Sequence, residues 1–441
     1  MDVETIDEQR RSVVAWGQYL GGVGLLVGGL LLPALVVEGY QWVLATVVLV
    51  AAAGLAIRGV ASSLLALSPS APPSIDLPAE PPTVSVLVTA YDEADVLAET
   101  IAACRELDYP DDALEVVCCY ESASSDGTAR IAASAAAADP RVVAHERPEP
   151  PGGKAAATNE ALGRARGEIV CVLDADQRFE PTAVRRAVRW FLAEEATWCV
   201  TGRRYGTNPR ASLVALFATV EHHVAERIEF VARDVLGGFT LFTGGQAFFR
   251  ADALDELGPF DEEVLLEDVD MAARIHARGG RIRVDPAILT YERNPTSLRA
   301  WWHQRKRWAR GGLQAARRHL YPLATGRDVR PIVRADACYT FGLLLVAPML
   351  VVASPVVILG VGSSASIAPF ELVVLALVAI APVLASTVVF LVDRRAGRAH
   401  ARREYLVPFA CGPYLALQGL VVLVAFLDEF VLDRPATYVP S

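Results

Sequence analysis

Two aspartates one residue apart, Asp174 and Asp176, close an apolar run from Ile169 to Leu173. The run reads as a buried parallel strand, and carboxylates just past such a strand's C-terminal end sit where open α/β sheets bind ligands. With one residue between them, neighbouring oxygens can point at one hard divalent cation that also takes substrate phosphate oxygens. The same pattern fits a strand ending in an acidic turn, so the remaining chain must decide.

Other stretches carry complementary chemistry. Gly152-Gly153-Lys154 opens a helix, where free backbone N–H groups, the helix dipole and an ammonium together suit an anion. Lys154 is one of only two lysines, with Lys306, among 41 basic residues. The turn Thr89–Ala94, containing Tyr91 and Glu93, follows a strand at a position that commonly cradles a nucleotide. Phe242–Phe249 joins Gly244 and Gly245 to an aromatic strand, and glycines within a strand permit close approach of a ligand or mark a bulge. Leu265–Met271 enters a helix bearing Glu267, Asp268 and Asp270. The helix dipole alone favours acids there, and an acid behind Leu265 and Leu266 can also serve as a general base. In Trp301–Arg310, helical spacing puts Gln304, Arg307 and Trp308 on one face, fit for a pyrophosphate and a stacked sugar. The same stretch also reads as an amphipathic helix at a membrane interface. His222, His223, His276 and His303 match no metal-ligand spacing, and Asp270 reads as a helix-face acid.

The elements that must position these residues alternate. Strands are expected at 84–89, 114–120, 141–144, 169–173 and 198–201, and helices at 94–105, 128–138, 155–165 and 182–193. This implies a mostly parallel sheet covered by helices. Asp126 is expected to cap the second helix.

Around this unit the chain of 441 residues is 53% hydrophobic, too apolar for a wholly soluble protein of its size. Val13–Val37 and Gln41–Leu67 precede it, and runs near 337–361, 369–392 and 406–427 follow. Each approaches the roughly 20 apolar residues needed to cross a bilayer core. Arg58 is expected at the membrane edge. The organisation is therefore two spans (1–67), a Pro- and Ser-rich linker (68–82), a catalytic unit (83–326) with an interface helix near 297–319, and three spans with a short external tail (327–441). Loops 38–40 and 362–368 lack Lys and Arg, whereas 393–404 is rich in Arg. The positive-inside rule then places the catalytic unit in the cytosol of a multi-pass plasma-membrane protein. A net charge of −10 argues against a general nucleic-acid partner. Seven cysteines without a C-x-x-C pair read as core residues in a reducing compartment.

In their order, these motifs resemble the membrane-embedded glycosyltransferase family 2 enzymes, which include cellulose, chitin, hyaluronan and poly-N-acetylglucosamine synthases. The resemblance covers about Thr83–Leu320. It implies an α/β, Rossmann-like GT-A domain inserted between transmembrane helices. It further implies that Tyr91 and Glu93 hold the nucleoside, and that Asp174 and Asp176 meet the diphosphate and its Mg²⁺ or Mn²⁺, with Asp176 the direct ligand. Asp268, beside Glu267, would be the base for an inverting attack. Lys154 and Arg307 would offset leaving-group charge, Gly244 and Gly245 would border the acceptor, and Gln304 and Trp308 would complete the site's mouth. Glu121-Ser122 stands where the family often has an Asp pair, so Glu121 would reach the base from one methylene farther. Asp92 replaces a usual Asn. The implied activity is transfer from a nucleotide-sugar, UDP-linked, to a growing polysaccharide exported through the spans. The alternatives are single addition to a membrane lipid, a non-catalytic export scaffold, and a nucleotidyltransferase on a similar sheet. The last leaves the E-D and Q-x-x-R-W motifs unexplained.

Overall fold

Unbroken apolar runs become the central strands of an eight-stranded sheet, seen in a computed structural model that describes residues 3–148, 152–363 and 369–435. The strands are β1 (Val84–Ala90), β2 (Leu114–Glu121), β3 (Val142–Arg147), β4 (Ile169–Asp174), β5 (Arg178–Phe179), β6 (Thr197–Gly206), β7 (Gln246–Arg250) and β8 (Arg281–Glu292). Their order is β3-β2-β1-β4-β7-β6-β8-β5. The first four are parallel, β7 runs antiparallel to both β4 and β6, and β6 pairs parallel with β8. The sheet is thus mixed, and less parallel than the alternation of elements implied. Period-2 reading along β1 explains its two covered faces: Val86 and Val88 join one buried cluster, Leu87 the other.

The helices are α1 (Val3–Leu31), α2 (Pro33–Val36), α3 (Tyr40–Leu65), α4 (Ala94–Arg105), α5 (Thr128–Ala138), α6 (Gly153–Leu162), α7 (Ala183–Ala193), α8 (Leu213–Val224), α9 (Val231–Leu236), α10 (Ala251–Leu257), α11 (Glu267–Ala277), α12 (Leu298–Thr325), α13 (Pro331–Ser363), α14 (Pro369–Arg395) and α15 (Cys411–Phe426). A widened π turn, Ala225–Phe230, links α8 to α9. The second helix is capped at Gly127, with φ of 103°, and not at Asp126. Asp126 instead takes the amides of Thr128 (3.0 Å) and Ala94 (2.9 Å), joining the starts of α4 and α5. Gly244 and Gly245 lie in the turn before β7, outside the strand itself.

Among the described residues, four helices are long and apolar enough to cross a membrane: Tyr40–Leu65, Pro331–Pro355, Pro369–Arg395 and Cys411–Val431. The first expected run falls on α1, whose apolar part among the described residues is the shorter Gly17–Leu31. Arg58 pairs with Asp336 of α13 (2.8 Å) and Glu229 of the π turn (3.5 Å), so it marks where the spans meet the sheet domain. The loop 393–404 also lies against that domain, with Arg203 bound to Asp393 at 2.6 Å. The expected external tail does not match the contacts at the end of α15. Asp428 pairs with Lys306 (2.5 Å) and Glu429 with Arg310 (2.9 Å), both on α12, so residues 427–435 lie beside the domain's own long helix. The two acids stand just past the apolar run of 406–427, and what the sequence did not reveal is that two α12 cations complement them. Loop residues 364–368 and tail residues 436–441 fall outside the described residues. All seven cysteines are free, five of them buried in the sheet domain.

Candidate active site

Loops at the C-terminal ends of β1, β2 and β4 build the site. The β1 turn is tied to the β2 loop by Asp92, whose carboxylate accepts the Ser125 amide (2.7 Å). Asp92 itself sits at φ 52°, a left-handed conformation that Asp and Asn tolerate better than other side chains. Glu93 donates its backbone N–H to Thr128 Oγ1 (2.9 Å). Register fixes the acidic pair: Asp174 lies beside Thr89 of β1, and Leu173 faces Gln246 of β7. The turn that follows is held by Thr100 of α4, whose hydroxyl donates to the Ala175 carbonyl at 2.5 Å.

Lys154, on the first turn of α6, makes an ion pair with Asp174 and stands 3.9 Å from Glu267. Burial pulls its ammonium down, but Asp174 and Glu267 more than offset this and hold it above the ordinary lysine value. Asp268 at the start of α11 accepts the Gly244 amide on Oδ2 (3.0 Å) and the Val269 amide on Oδ1 (2.8 Å), which aims the carboxylate across the cleft. Burial raises both Glu267 and Asp268 above the usual carboxylate range, against the pull of Lys154 and, more weakly, Arg307. The two glycines are there for space. A Cβ on Gly244 would lie 2.7 Å from Lys154 Nζ, and one on Gly245 would overlap Asp174 and Gln177.

Charge at the acidic end is unbalanced. Asp176 is open to solvent on one side, yet surrounding protein and the charges of Asp174, Glu292 and Glu93 push it up to about 7. Glu93 rises to about 7 through burial and then Asp174, Asp126 and Asp92. Such a set of hard oxygen donors, with a surplus of negative charge, suits Mg²⁺ or Mn²⁺.

Beyond the acidic pair, a buried layer carries residues that no sequence motif identified. Arg204 of β6 binds Glu226 (2.6 Å) and approaches Glu292 (3.5 Å), while Gln177 donates to Glu292 (2.8 Å). Glu226 lies in the π turn, a widened turn frequent at functional sites. Only the position of Gln177, directly after the acidic pair, was visible as a signal; the others are single charges on otherwise ordinary elements. Trp308 of α12 lies under the Arg305 guanidinium (4.1 Å) and near the His222 ring (5.8 Å). Gln304 accepts from Arg305 (2.6 Å). Arg305 in turn binds Glu221 of α8 (2.6 Å), which also accepts from Tyr414 and Gln418 of α15. Burial, then Arg204 and Arg305, keeps the His222 ring neutral, well below its ordinary value.

The structure therefore brings Glu93, Lys154, Asp174, Asp176, Gly244, Gly245, Glu267 and Asp268 to one cleft, with Arg307 close enough to bear on Glu267 and Asp268. Glu121 is set apart. It is buried at the end of β2 in a pair with Arg147 of β3 (3.1 Å), so a base would have to compete with a guanidinium. Tyr91 is partly exposed on the β1 turn. Asp270, expected as a helix-face acid, is buried on the α11 face against His319 of α12 (2.7 Å) and Arg274 (2.9 Å), fastening α11 to α12.

A mixed sheet of this order, with the acidic pair at the end of its fourth strand and apolar helices on either side, defines a GT-A-type architecture flanked by membrane-spanning helices. The glycosyltransferase like family 2 model matches residues 81–311, and the chain belongs to that family. Among curated relatives, the chain is 32% identical over 234 residues to a beta-monoglucosyldiacylglycerol synthase of Trichormus variabilis, covering 53% of this chain and 49% of that one. It is 28% identical over 246 residues to a poly-beta-1,6-N-acetyl-D-glucosamine synthase of Staphylococcus epidermidis, covering 54% and 57%. The chain thus spans about half the length of the curated relatives it matches. The mannosyltransferase PcManGT of Pyrobaculum calidifontis, solved with GDP-Man and Mn²⁺, shares the fold with a TM-score of 0.62 over 89% of this chain and 99% of that one, at 23% identity.

Proposed function

We propose that this protein transfers a sugar from a nucleotide-sugar, UDP-linked, to an acceptor at the membrane, inverting the anomeric carbon. The observation that carries the reading is the meeting of Lys154 with both Asp174 and Glu267, next to Gly244, whose amide donates to Asp268. In this mechanism the Asp268 carboxylate takes the proton of an acceptor hydroxyl, whose oxygen attacks the anomeric carbon as the bond to the nucleoside diphosphate breaks. Burial raises the basicity of Asp268 for that role. Lys154 stands beside the departing diphosphate, and Arg307 adds charge from α12. Asp174 and Asp176 would hold Mg²⁺ or Mn²⁺, which when bound supplies charge neutralisation at the leaving group. The catalytic domain would face the cytosol of the plasma membrane, because the Arg-rich loop 393–404 shares its side.

Processive synthesis of an exported polysaccharide is supported by the Gln304, Arg307 and Trp308 set and by the polymer synthase among the relatives. Single addition to a membrane lipid is the second reading, favoured by the lipid glucosyltransferase among them. Purified full chain with labelled nucleotide-sugars, assayed with Mn²⁺ and then EDTA, tests the proposal. Metal-dependent donor turnover with a high-mass product is expected. A product that is only a monoglycosyl lipid removes the polymerase, and no turnover of any nucleotide-sugar removes transfer altogether.

A further inference from the structure

Away from this cleft, where loop 393–404 meets the sheet domain, a second cluster of ligating side chains is buried. One ring nitrogen each from His223 of α8 and His400 of the loop, with a carboxylate oxygen of Glu404, lie within 4.8 Å of one another. The three side chains are 1%, 1% and 3% exposed. His400 Nδ1 is 2.9 Å from Glu404 Oε2, and His223 Nε2 is 3.7 Å from the same atom. Bonds of about 2.0–2.1 Å at tetrahedral angles place neighbouring ligand atoms about 3.4 Å apart, between those two separations.

Two further features point to an ion. Both ring nitrogens of His223 are buried with no hydrogen-bond partner, an arrangement that leaves even a neutral imidazole's N–H unsatisfied. His400 is also oriented as a metal ligand: its Nε2 lies 3.0 Å from Asp393 Oδ2, so a proton there leaves Nδ1 turned towards Glu404 and His223. Metal-bound histidines characteristically donate their other nitrogen to a carboxylate in this way. The remaining Glu404 oxygen is held by the Ala401 amide (2.7 Å), and Asp393 is balanced by Arg203 (2.6 Å). Glu404 is then the negative ligand facing two imidazoles, a donor set matched to Zn²⁺ and away from Mg²⁺ or Ca²⁺.

We propose that His223, His400 and Glu404 supply three ligands of a Zn²⁺ site, with water in the fourth tetrahedral position, that staples the loop between α14 and α15 onto α8. The ion joins two parts of the chain far apart in sequence. Its neighbours reach the active site: His222, next to His223, approaches Glu292 and Trp308, and Arg204 follows Arg203. The proposal does not depend on which sugar is transferred.

The test is metal content of the full chain purified in detergent, incubated with Zn²⁺ and freed of excess. About one zinc per chain is expected for the wild type and for Asp176→Asn, and none for His400→Ala. Zinc that leaves with Asp176→Asn, or a wild type that retains none, overturns the site; the cluster is then a protonated His400 held between Asp393 and Glu404. Wild type loaded with Co²⁺ gives a readout that needs no variant. Tetrahedral, nitrogen-ligated bands displaced by Zn²⁺ support the proposal, and an octahedral, all-oxygen spectrum refutes it.

Discussion

Replacing Gly245 by alanine asks how closely Asp174 must be placed. The added Cβ would lie 2.5 Å from Asp174 Cγ, whereas ordinary contact begins at 3.4 Å, so the carboxylate has to retreat by about 0.9 Å. Backbone strain adds nothing, since Gly245 is not among the positive-φ glycines. Asp174 faces the open cleft and can move, so the fold should tolerate the change, while the donor site should not. A misplacement of about 1 Å costs about 10²-fold in rate, equivalent to about 2.7 kcal/mol of transition-state stabilisation. Gly244→Ala should be milder, because its Cβ meets the flexible end of Lys154, and Glu267 and Asp268 only at 3.6 and 3.8 Å. Gly54→Ala, whose Cβ meets nothing within 4 Å, is the control. The assay is kcat/KM for Mn²⁺-dependent transfer, with thermal unfolding in parallel. A Gly245→Ala enzyme with wild-type kcat/KM would refute the placement of Asp174 in the donor site. A loss no larger than that of Gly54→Ala would do the same.

Asp268→Asn should lower transfer by about 10²–10⁴-fold, the usual contribution of a general base, while leaving metal-dependent nucleotide binding intact by calorimetry; unchanged transfer removes the base assignment. Asp176 and Glu93 have folded-state values raised to about 7 from ordinary values of 3.8 and 4.5. Unfolding therefore releases protons between those limits, and the stability of metal-free protein should fall as pH rises from about 4 to about 7. Mn²⁺ should restore it most strongly above pH 7, and a metal-free melting temperature rising through that window contradicts the charge surplus. Arg203→Met takes the closest cation from the buried Asp393 carboxylate and leaves it His400 (3.0 Å) and the more distant Arg398 (3.9 Å), so the cost should approach, from below, the about 3–5 kcal/mol of a broken buried pair. Its apparent melting temperature in detergent should drop well below that of Arg164→Met, which removes an exposed pair.

How much could be read beforehand follows from the range of each interaction. Local signals served well: α4 and α5 begin and end where their patterns placed them, and the apolar runs of β1, β2 and β4 became the parallel core. What failed was non-local. Asp126 has a capping residue's chemistry, but the backbone at Gly127 turned it into a clamp between two helices. Asp270 could be read as a helix-face acid but not as a buried fastening, because its partners, His319 and Arg318, lie half a hundred residues away on α12. Arg204, Glu226 and Glu292 form one buried set from three elements. Their chemistry exists only once β6 and β8 pair.

The long helix α12 explains why the site and the apolar helices cannot be treated separately. Trp308 and Gln304 are each held by Arg305, and Arg305 is fixed by Glu221. Glu221 is itself bound by Tyr414 and Gln418, one turn apart on α15, and Trp301 donates to the same Tyr414 (2.8 Å). Farther along, Lys306 and Arg310 grip Asp428 and Glu429 at the other end of α15. Both ends of an apolar helix are therefore fastened to the helix that carries Gln304, Arg307 and Trp308. A shift of α15 has to break the Tyr414 and Gln418 bonds to Glu221, leaving that carboxylate to Arg305, or carry Glu221 with it. The apolar helix is thereby joined, through Glu221, to the Arg305 that lies over Trp308, by polar contacts that hydropathy does not register.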